Sequence, residues 1–263
     1  MINAIRSEWI KTLTIRMNTV LFIIAIAIPL IICGLTAALS DADSFAIDDI
    51  VSIVTGTSVI TGMLLGVIGA SSITGEFGFN TIRPTFAATP KRPTVLVAKA
   101  IVIVIMAAVA ETAIVLVSYA MMRGIISARG GTVRPFTPFT FNTESTSTLV
   151  TFSTVPPMIG VVIFAILVSL LGYAIGLLIH NTPAAIAVLI LWPLVLESIV
   201  VGILSVAGVD NAQKFMPYLS GINLGNPTNT GDTLGRVGGG LYFGAVTVGL
   251  LVFGGLLTNR RDA

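Results

Sequence analysis

Two carboxylic acids lie inside apolar stretches of this chain, where an ionised group is unfavourable. Glu111 stands twelve residues from Lys99 and twelve from Arg123, about 18 Å from either along a helix. An ionised side chain at that depth in a bilayer costs about 2.5–3.5 kcal/mol, so the carboxyl must be protonated, paired, or facing water or protein. Glu197 lies nearer the end of another apolar stretch. Both could serve a translocation path or a coupling step, or could hold helices together through hydrogen bonds.

The second candidate is the segment GEFGFNTIRPTFAATPKRPTVLVAKA, residues 75–100. It carries four of the fourteen basic residues, namely Arg83, Lys91, Arg92 and Lys99, together with Glu76, Phe77, Phe79, Ile82 and Phe86. Its prolines limit any helix there to short pieces. An interfacial loop that touches anionic lipid would need the basic residues alone. The added acid and aromatic rings favour a surface that contacts a partner, and the interfacial loop remains the alternative.

The elements that position these groups must be membrane helices. The chain is 55% hydrophobic and 10% charged with a mean hydropathy of +1.00, whereas soluble domains carry about 25% charged residues. This composition predicts an all-α polytopic membrane protein. The formal net charge of +2 gives no indication of nucleic acid binding. The single cysteine, Cys33, and the single histidine, His180, exclude an internal disulfide and a Cys- or His-rich metal site.

Six apolar segments are long enough to cross a bilayer, which takes about 20 residues in a helix. They are residues 18–39, 50–73, 97–122, 157–179, 184–206 and 237–257. Only residues 180–183 separate the fourth and fifth, and Pro183 suits the first turn of a helix, which predicts a tight hairpin. Trp192-Pro193 predicts a bend within the fifth. Residues 1–17 precede them, residues 74–96 form a link between the second and third spans, and the longer loops are 123–156 and 207–236. We expect the first loop to be irregular, and the second to be either a re-entrant element followed by a loop or a loop throughout. The whole chain forms one transmembrane domain.

The distribution of charge predicts the orientation. With both termini in the cytoplasm, nine Lys and Arg residues lie inside and five outside, and the outside segment SDADSFAIDD contains none. This agrees with the positive-inside rule. The link 74–96 is then cytoplasmic, and the loops 123–156 and 207–236 are external.

Residues 1–17 have an amphipathic pattern. Ile2, Ile5, Trp9, Leu13 and Met17 recur at helical spacing, and the basic residues lie mostly away from them. This favours a helix in the membrane interface, with Trp9 at headgroup depth; a simple positive anchor is the alternative.

Pairs of small residues indicate how the spans pack. Gly62 and Gly66, Gly172 and Gly176, and Gly240 and Gly244 each have the G-x-x-x-G spacing that lets helix backbones approach closely. Together they predict a compact bundle.

Catalytic motifs are missing from the sequence. It contains no G-x-x-x-x-G-K-[ST], H-E-x-x-H, G-x-S-x-G or C-x-x-C, so no phosphate loop, zinc protease helix or nucleophile elbow is encoded. We therefore expect no enzymatic activity from this chain alone.

The link carries a pattern that resembles a known family. The run Glu76, Gly78, Thr81, Arg83, Thr85, then Thr89, Pro90, Arg92, then Ala98 and Lys99 is similar to the link of ABC-2 type exporter permeases. The layout of the whole chain is similar as well, although Pro84 directly after Arg83 departs from the pattern. The resemblance implies a type V exporter-like bundle of six spans with an interfacial N-terminal helix.

The resemblance also implies partners. Two permease chains, here a homodimer, would pair with two separate ATPase subunits, and the link would contain the coupling helix that docks on the ATPase. ATP and Mg²⁺ would be bound by the partner, with no cofactor on this chain. Within the link we expect Glu76, Phe79, Arg83 and Arg92 to be contact or positioning residues. The location implied is the cytoplasmic membrane of a bacterium. The alternative function is a gradient-driven carrier or channel that uses Glu111.

Overall fold

The computed structural model describes residues 1–79, 92–135, 139–143, 146–150, 154–209, 211–226 and 234–261. Within those ranges six helices are long and apolar enough to cross a membrane. This confirms the prediction of a largely helical, multi-pass membrane protein.

The elements follow in chain order. Helix α1 is Ile2–Thr14, α2 is Arg16–Leu39, α3 is Ile47–Gly78 and α4 is Arg92–Ala128. The antiparallel strands β1, Phe139–Thr143, and β2, Thr146–Val150, precede α5, Val155–Ile179. Helix α6, Thr182–Leu191, continues through a π-helical turn, Trp192–Leu196, into α7, Glu197–Val206. The short helix α8, Pro217–Ile222, lies between 3₁₀ turns at Ala212–Phe215 and Asn223–Gly225, and α9 is Gly235–Arg261.

Helices α3 and α5 form the centre of the bundle and make its most extensive helix contact. Their backbones meet at two glycines, where a Cβ atom on Gly172 would overlap the carbonyl oxygen of Gly66. Helices α2, α4 and α9 pack around this pair. Two of the predicted small-residue motifs therefore face each other, because only glycine lets the two backbones come this close.

The turn between α5 and α6 is as tight as its sequence predicts. His180 ends α5 in the left-handed region with φ of 56°, and the side chain of Asn181 caps α6 by accepting from the Ala184 N–H at 3.0 Å. Pro183 lies in the first turn of α6, where its missing N–H removes no helical hydrogen bond.

The predicted bend at Trp192 and Pro193 is present as the π-helical turn. Pro193 cannot donate a backbone hydrogen bond, and such residues are common at departures from regular α-helix. The turn changes the direction in which the following side chains face.

The expectation of an irregular loop over residues 123–156 is wrong at both ends and in the middle. Helix α4 continues to Ala128 because Met122 and Ile126, both fully buried, pack against α2 beside Cys33 and Ala37. Gly130, with φ of 84°, then ends the helix. The β1–β2 hairpin follows, in a stretch rich in Thr and Phe, which favour strands.

Residues 207–236 also contain more structure than a loop. Helix α8 and its flanking turns pack back on the bundle, where Tyr218 and Leu224 are buried with Phe164 and Phe243. Gly225 accepts a hydrogen bond at its carbonyl from the Thr55 hydroxyl at 2.8 Å. The short elements are held by this burial, since six residues alone do not form a stable helix in water.

Candidate functional site

Four charged side chains from three helices meet at one end of the bundle. Lys11 Nζ lies 2.8 Å from Glu8 Oε1 and 3.2 Å from Glu76 Oε1. Lys99 Nζ lies 3.2 Å from the same Glu76 oxygen and also contacts Glu8 Oε2. Each lysine thus bridges both glutamates. We call this set the charge ring.

Each helix contributes to the charge ring for a local reason. Glu8 and Lys11 are three residues apart on α1, so they lie on the same helix face. Glu76 is in the last turn of α3, and Lys99 is two turns into α4. The face of α1 that meets the bundle is therefore polar, with Glu8 and Thr12 buried, while Ile2 and Leu13 of the apolar stripe are exposed. That arrangement fits the predicted contact of the stripe with lipid.

Most of the charge ring is removed from solvent. The side chains of Glu8, Lys99 and Glu76 are 4%, 3% and 12% exposed, and Lys11 is 39% exposed. Two lysines and two glutamates sum to no net charge, which makes burial tolerable only while all four remain together. Removal of any one member leaves a buried excess charge.

The electrostatics of α1 reflect this pairing. Burial by itself raises the pKa of Glu8, but the charge of Lys99, together with hydrogen bonds from Lys11 and Lys99, outweighs it and holds the pKa below its usual value. Burial by itself would lower the pKa of Lys11. Hydrogen bonds and charge interactions with Glu8 and Glu76 outweigh burial, so the pKa of Lys11 is raised. Both shifts favour the ionised forms.

The end of α3 also contacts the turn between α5 and α6. The Phe77 ring lies 3.8 Å from the His180 ring, centroid to centroid. The hydroxyl of Thr182 donates to that of Thr74 at 2.8 Å. The last turn of α3 is therefore joined to α1, α4 and the α5–α6 hairpin at once, and a displacement of this turn must disturb all of them.

A cavity of 670 Å³, to which many polar residues contribute, lies beside the charge ring. Arg16, Asn18 and Ser71 line it along with three members of the ring. Asn18 accepts a hydrogen bond from the Ser71 hydroxyl at 3.0 Å. The cavity therefore places further polar side chains next to the charge ring.

The four predicted link residues lie in different places. Glu76 belongs to the charge ring. Phe79, the residue after α3, is 83% exposed. Arg92 is the first residue of α4, and Arg83 lies outside the described residues. The predicted link of 74–96 is shortened to 79–91, since α3 ends at Gly78 and α4 begins at Arg92; Pro93 is accommodated in the first turn of α4.

Sequence reasoning missed Glu8 and the pairing of Lys11 and Lys99. The sequence interpretation used Lys11 only for the orientation, and it placed Lys99 in the segment 75–100 and in its family pattern without a partner. A usable signal was present, because Glu8 and Lys11 are an acid and a base at i, i+3 on a helix that should lie against the membrane. The pairing with α3 and α4 has no signature in the sequence.

The two intramembrane carboxyls lie in different environments. Glu111 on α4 is 1% exposed, and its Oε2 atom has no hydrogen-bond partner in the described part of the chain. Glu197, also 1% exposed, accepts three hydrogen bonds at 3.0 Å, from the Trp192 indole and from the backbone N–H groups of Tyr218 and Leu219. Glu197 thus joins the π-helical turn to the beginning of α8.

No protein-family model matches this chain, and no curated protein matches it.

Proposed function

We propose that this chain is the membrane-spanning permease subunit of an ATP-driven exporter, coupled to a separate ATPase through residues 79–91. The observation that carries the proposal is the charge ring, because it holds both ends of the link. Glu76 lies just before the link and Lys99 just after it, and the two are in direct contact.

A coupling element must pass a displacement to the helices that form the path. The last turn of α3 is bonded to α1 and α4 through the charge ring and to the α5–α6 hairpin through Phe77 and Thr74. Motion imposed on the link would therefore reach the helices of the bundle. The exposed ring of Phe79 is suited to contact a partner at the same end.

A second copy of the chain completes the proposed exporter. The outer face of α6, the π-helical turn and α7 exposes a row of large apolar side chains, namely Leu191, Leu194, Val195, Ile199 and Ile203. A face of this kind meets lipid or another protein. In the proposed assembly part of it packs on the second permease chain, and two ATPases bind the two links from the cytoplasm.

Purification of the tagged chain from its native membrane in mild detergent tests the proposal. We expect a P-loop ATPase to co-elute at about one per chain, identified by mass spectrometry. Phe79→Ala should reduce the bound ATPase at least about fivefold, since truncation of a central aromatic contact commonly costs 1–2 kcal/mol or more. The double variant Glu76→Ala/Arg83→Ala should lose it completely.

Phe215→Ala is the matched control, because Phe215 is also an exposed aromatic residue but lies in the 3₁₀ turn before α8. It should retain the ATPase. A chain that elutes without any P-loop protein, or a Phe79→Ala variant that binds as much ATPase as the parent, would count against the proposal.

Glu111→Gln separates the exporter from the gradient-driven alternative. In the exporter Glu111 is a packing residue. The neutral, isosteric amide should therefore leave the unfolding temperature unchanged and the rate of ATP-dependent transport within about twofold of the parent's. Transport is measured in proteoliposomes with and without a proton gradient. The carrier would be favoured by two results together. The parent transports without ATP, and Glu111→Gln abolishes that transport while the unfolding temperature is unchanged.

A further inference from the structure

An apolar pocket of 240 Å³ lies between α5, α6 and α9. None of its lining residues belongs to the charge ring. Its walls are almost wholly hydrocarbon, and include Ile175, Leu189, Trp192, Phe243 and Val246. This volume is slightly below the usual range of small-molecule sites, roughly 300–1,000 Å³. A single hydrocarbon chain or a small ring system would fill it.

Two residues with polar groups contribute to the lining of the pocket. Tyr218 and Glu197 both line it. Tyr218 is only 2% exposed, and its hydroxyl has no hydrogen-bond partner among the described residues. A buried hydroxyl is normally hydrogen-bonded. This one is available to a ligand.

The ring that carries this hydroxyl is held firmly. Its centroid lies 5.4 Å from that of Phe164 and 5.8 Å from that of Phe243, both in edge-to-face geometry. The backbone N–H of Tyr218 donates to Glu197 at 3.0 Å. The hydroxyl is therefore fixed in position before any ligand arrives, which lowers the entropy lost on binding.

The π-helical turn contributes to one wall of the pocket. Trp192 and Pro193, its first two residues, line the pocket. The Trp192 side chain is about half exposed, while its indole N–H donates to Glu197. Single π turns inside α-helices are frequent at functional sites. The pocket thus has one wall that faces the surroundings of the bundle and one that reaches the buried hydroxyl.

We propose that this pocket binds a neutral, single-chain amphiphile, such as a long-chain alcohol or an ester. The chain lies against the apolar walls, and the Tyr218 hydroxyl donates to the ligand oxygen. Burial and the nearby Glu197 charge both raise the Tyr218 pKa, so the hydroxyl keeps its proton. The Glu197 carboxylate already accepts three hydrogen bonds and disfavours an anionic head group. This site is independent of the proposed coupling to an ATPase.

Photolabelling of the purified chain in nanodiscs tests the site. The probe is hexadecanol with a diazirine on its chain, applied at pH 8 and competed with unlabelled hexadecanol or hexadecanoic acid. We expect saturable labelling of peptides from α6 and α9, displaced by the alcohol at concentrations at least tenfold below those needed for the acid. Tyr218→Phe should raise the probe concentration at half-saturation about five- to tenfold, which is the effect of one lost hydrogen bond.

Tyr119→Phe is the matched control, because Tyr119 lies on α4 and does not line the pocket; it should bind like the parent. Leu189→Trp and Val246→Trp each fill the pocket, so at least one folded variant should lose the saturable labelling. Three results would overturn the proposal: labelling spread evenly over lipid-facing helices, equal competition by acid and alcohol, or unchanged binding by Tyr218→Phe. Because labelling is measured without transport or ATP hydrolysis, the outcome is separate from that of the exporter test.

Discussion

Lys99→Met is expected to cause the largest loss of stability of any single change in the charge ring. Lys99 is the more buried of the two lysines and contacts both Glu8 and Glu76. Methionine has a similar length but no charge, so two buried carboxylates would remain with only the half-exposed Lys11. Breaking a buried ion pair by removing one partner typically costs about 3–5 kcal/mol. We expect the free energy of unfolding to fall by about this amount.

The measurement is thermal unfolding in detergent, together with a double-mutant cycle. Glu8→Gln/Lys99→Met restores neutrality in the ring, so its loss of stability should be smaller than the sum of the two single losses. The control is Arg6→Met, a basic residue on the exposed side of α1, which should change stability by less than about 0.5 kcal/mol. Equal stability of Lys99→Met and the parent would mean that the charge ring does not hold the three helices together.

Gly172→Ala should disrupt the centre of the bundle despite adding a single methyl group. The new Cβ would overlap the carbonyl oxygen of Gly66 on α3, and a backbone carbonyl cannot move aside like a flexible side chain. Helices α3 and α5 would have to separate along their main contact. Overpacking in a filled core typically costs about 1–3 kcal/mol, and a rigid backbone clash places this variant at the upper end. Gly172→Val should be worse and should reduce the yield of folded protein.

Gly249→Ala is the matched control for this experiment. Gly249 lies on α9, where a Cβ atom would meet nothing within 4 Å. Alanine is also the better helix former by roughly 0.5–1 kcal/mol, so this variant should be as stable as the parent or slightly more so. Unfolding temperatures of the three variants in the same detergent check the prediction. If Gly172→Ala and Gly249→Ala behave alike, the close approach of α3 and α5 is not a determinant of stability.

The sequence alone predicted the features that depend on neighbouring residues. Runs of about 20 apolar residues must form helices in a bilayer, because no other segment conformation satisfies its own backbone there; six such helices are present. The short gap that ends in Pro183 predicted a tight turn, and Trp192-Pro193 predicted the bend in the fifth span. Each of these signals is read within a few positions, so no tertiary information was needed.

For other features the sequence showed that a buried group needs a partner or must be neutral, but not which of the two applies. The depth of Glu111 and Glu197 in apolar sequence required that they be neutral or partnered. The structure shows the outcome for each. Glu197 accepts from two backbone N–H groups 21 and 22 residues further along the chain, while Glu111 is buried with one oxygen unpartnered among the described residues. The boundary of α4 was misplaced for the same reason. Its last turns are stabilised by packing against α2, which local sequence does not report.

The candidate site itself was decided by tertiary structure. Glu76 was singled out from its own segment, but its partners Lys11 and Lys99 lie 65 and 23 residues away, and Glu8 was overlooked. Pairing between charges on different helices depends on which helix faces meet. That choice is made by the fit of small residues such as Gly66 and Gly172 at the centre of the bundle, and by the need to neutralise every buried charge at its edge. The sequence determined that this chain forms six helices long and apolar enough to cross a membrane, and only the packing of those helices determined which charges meet at their end.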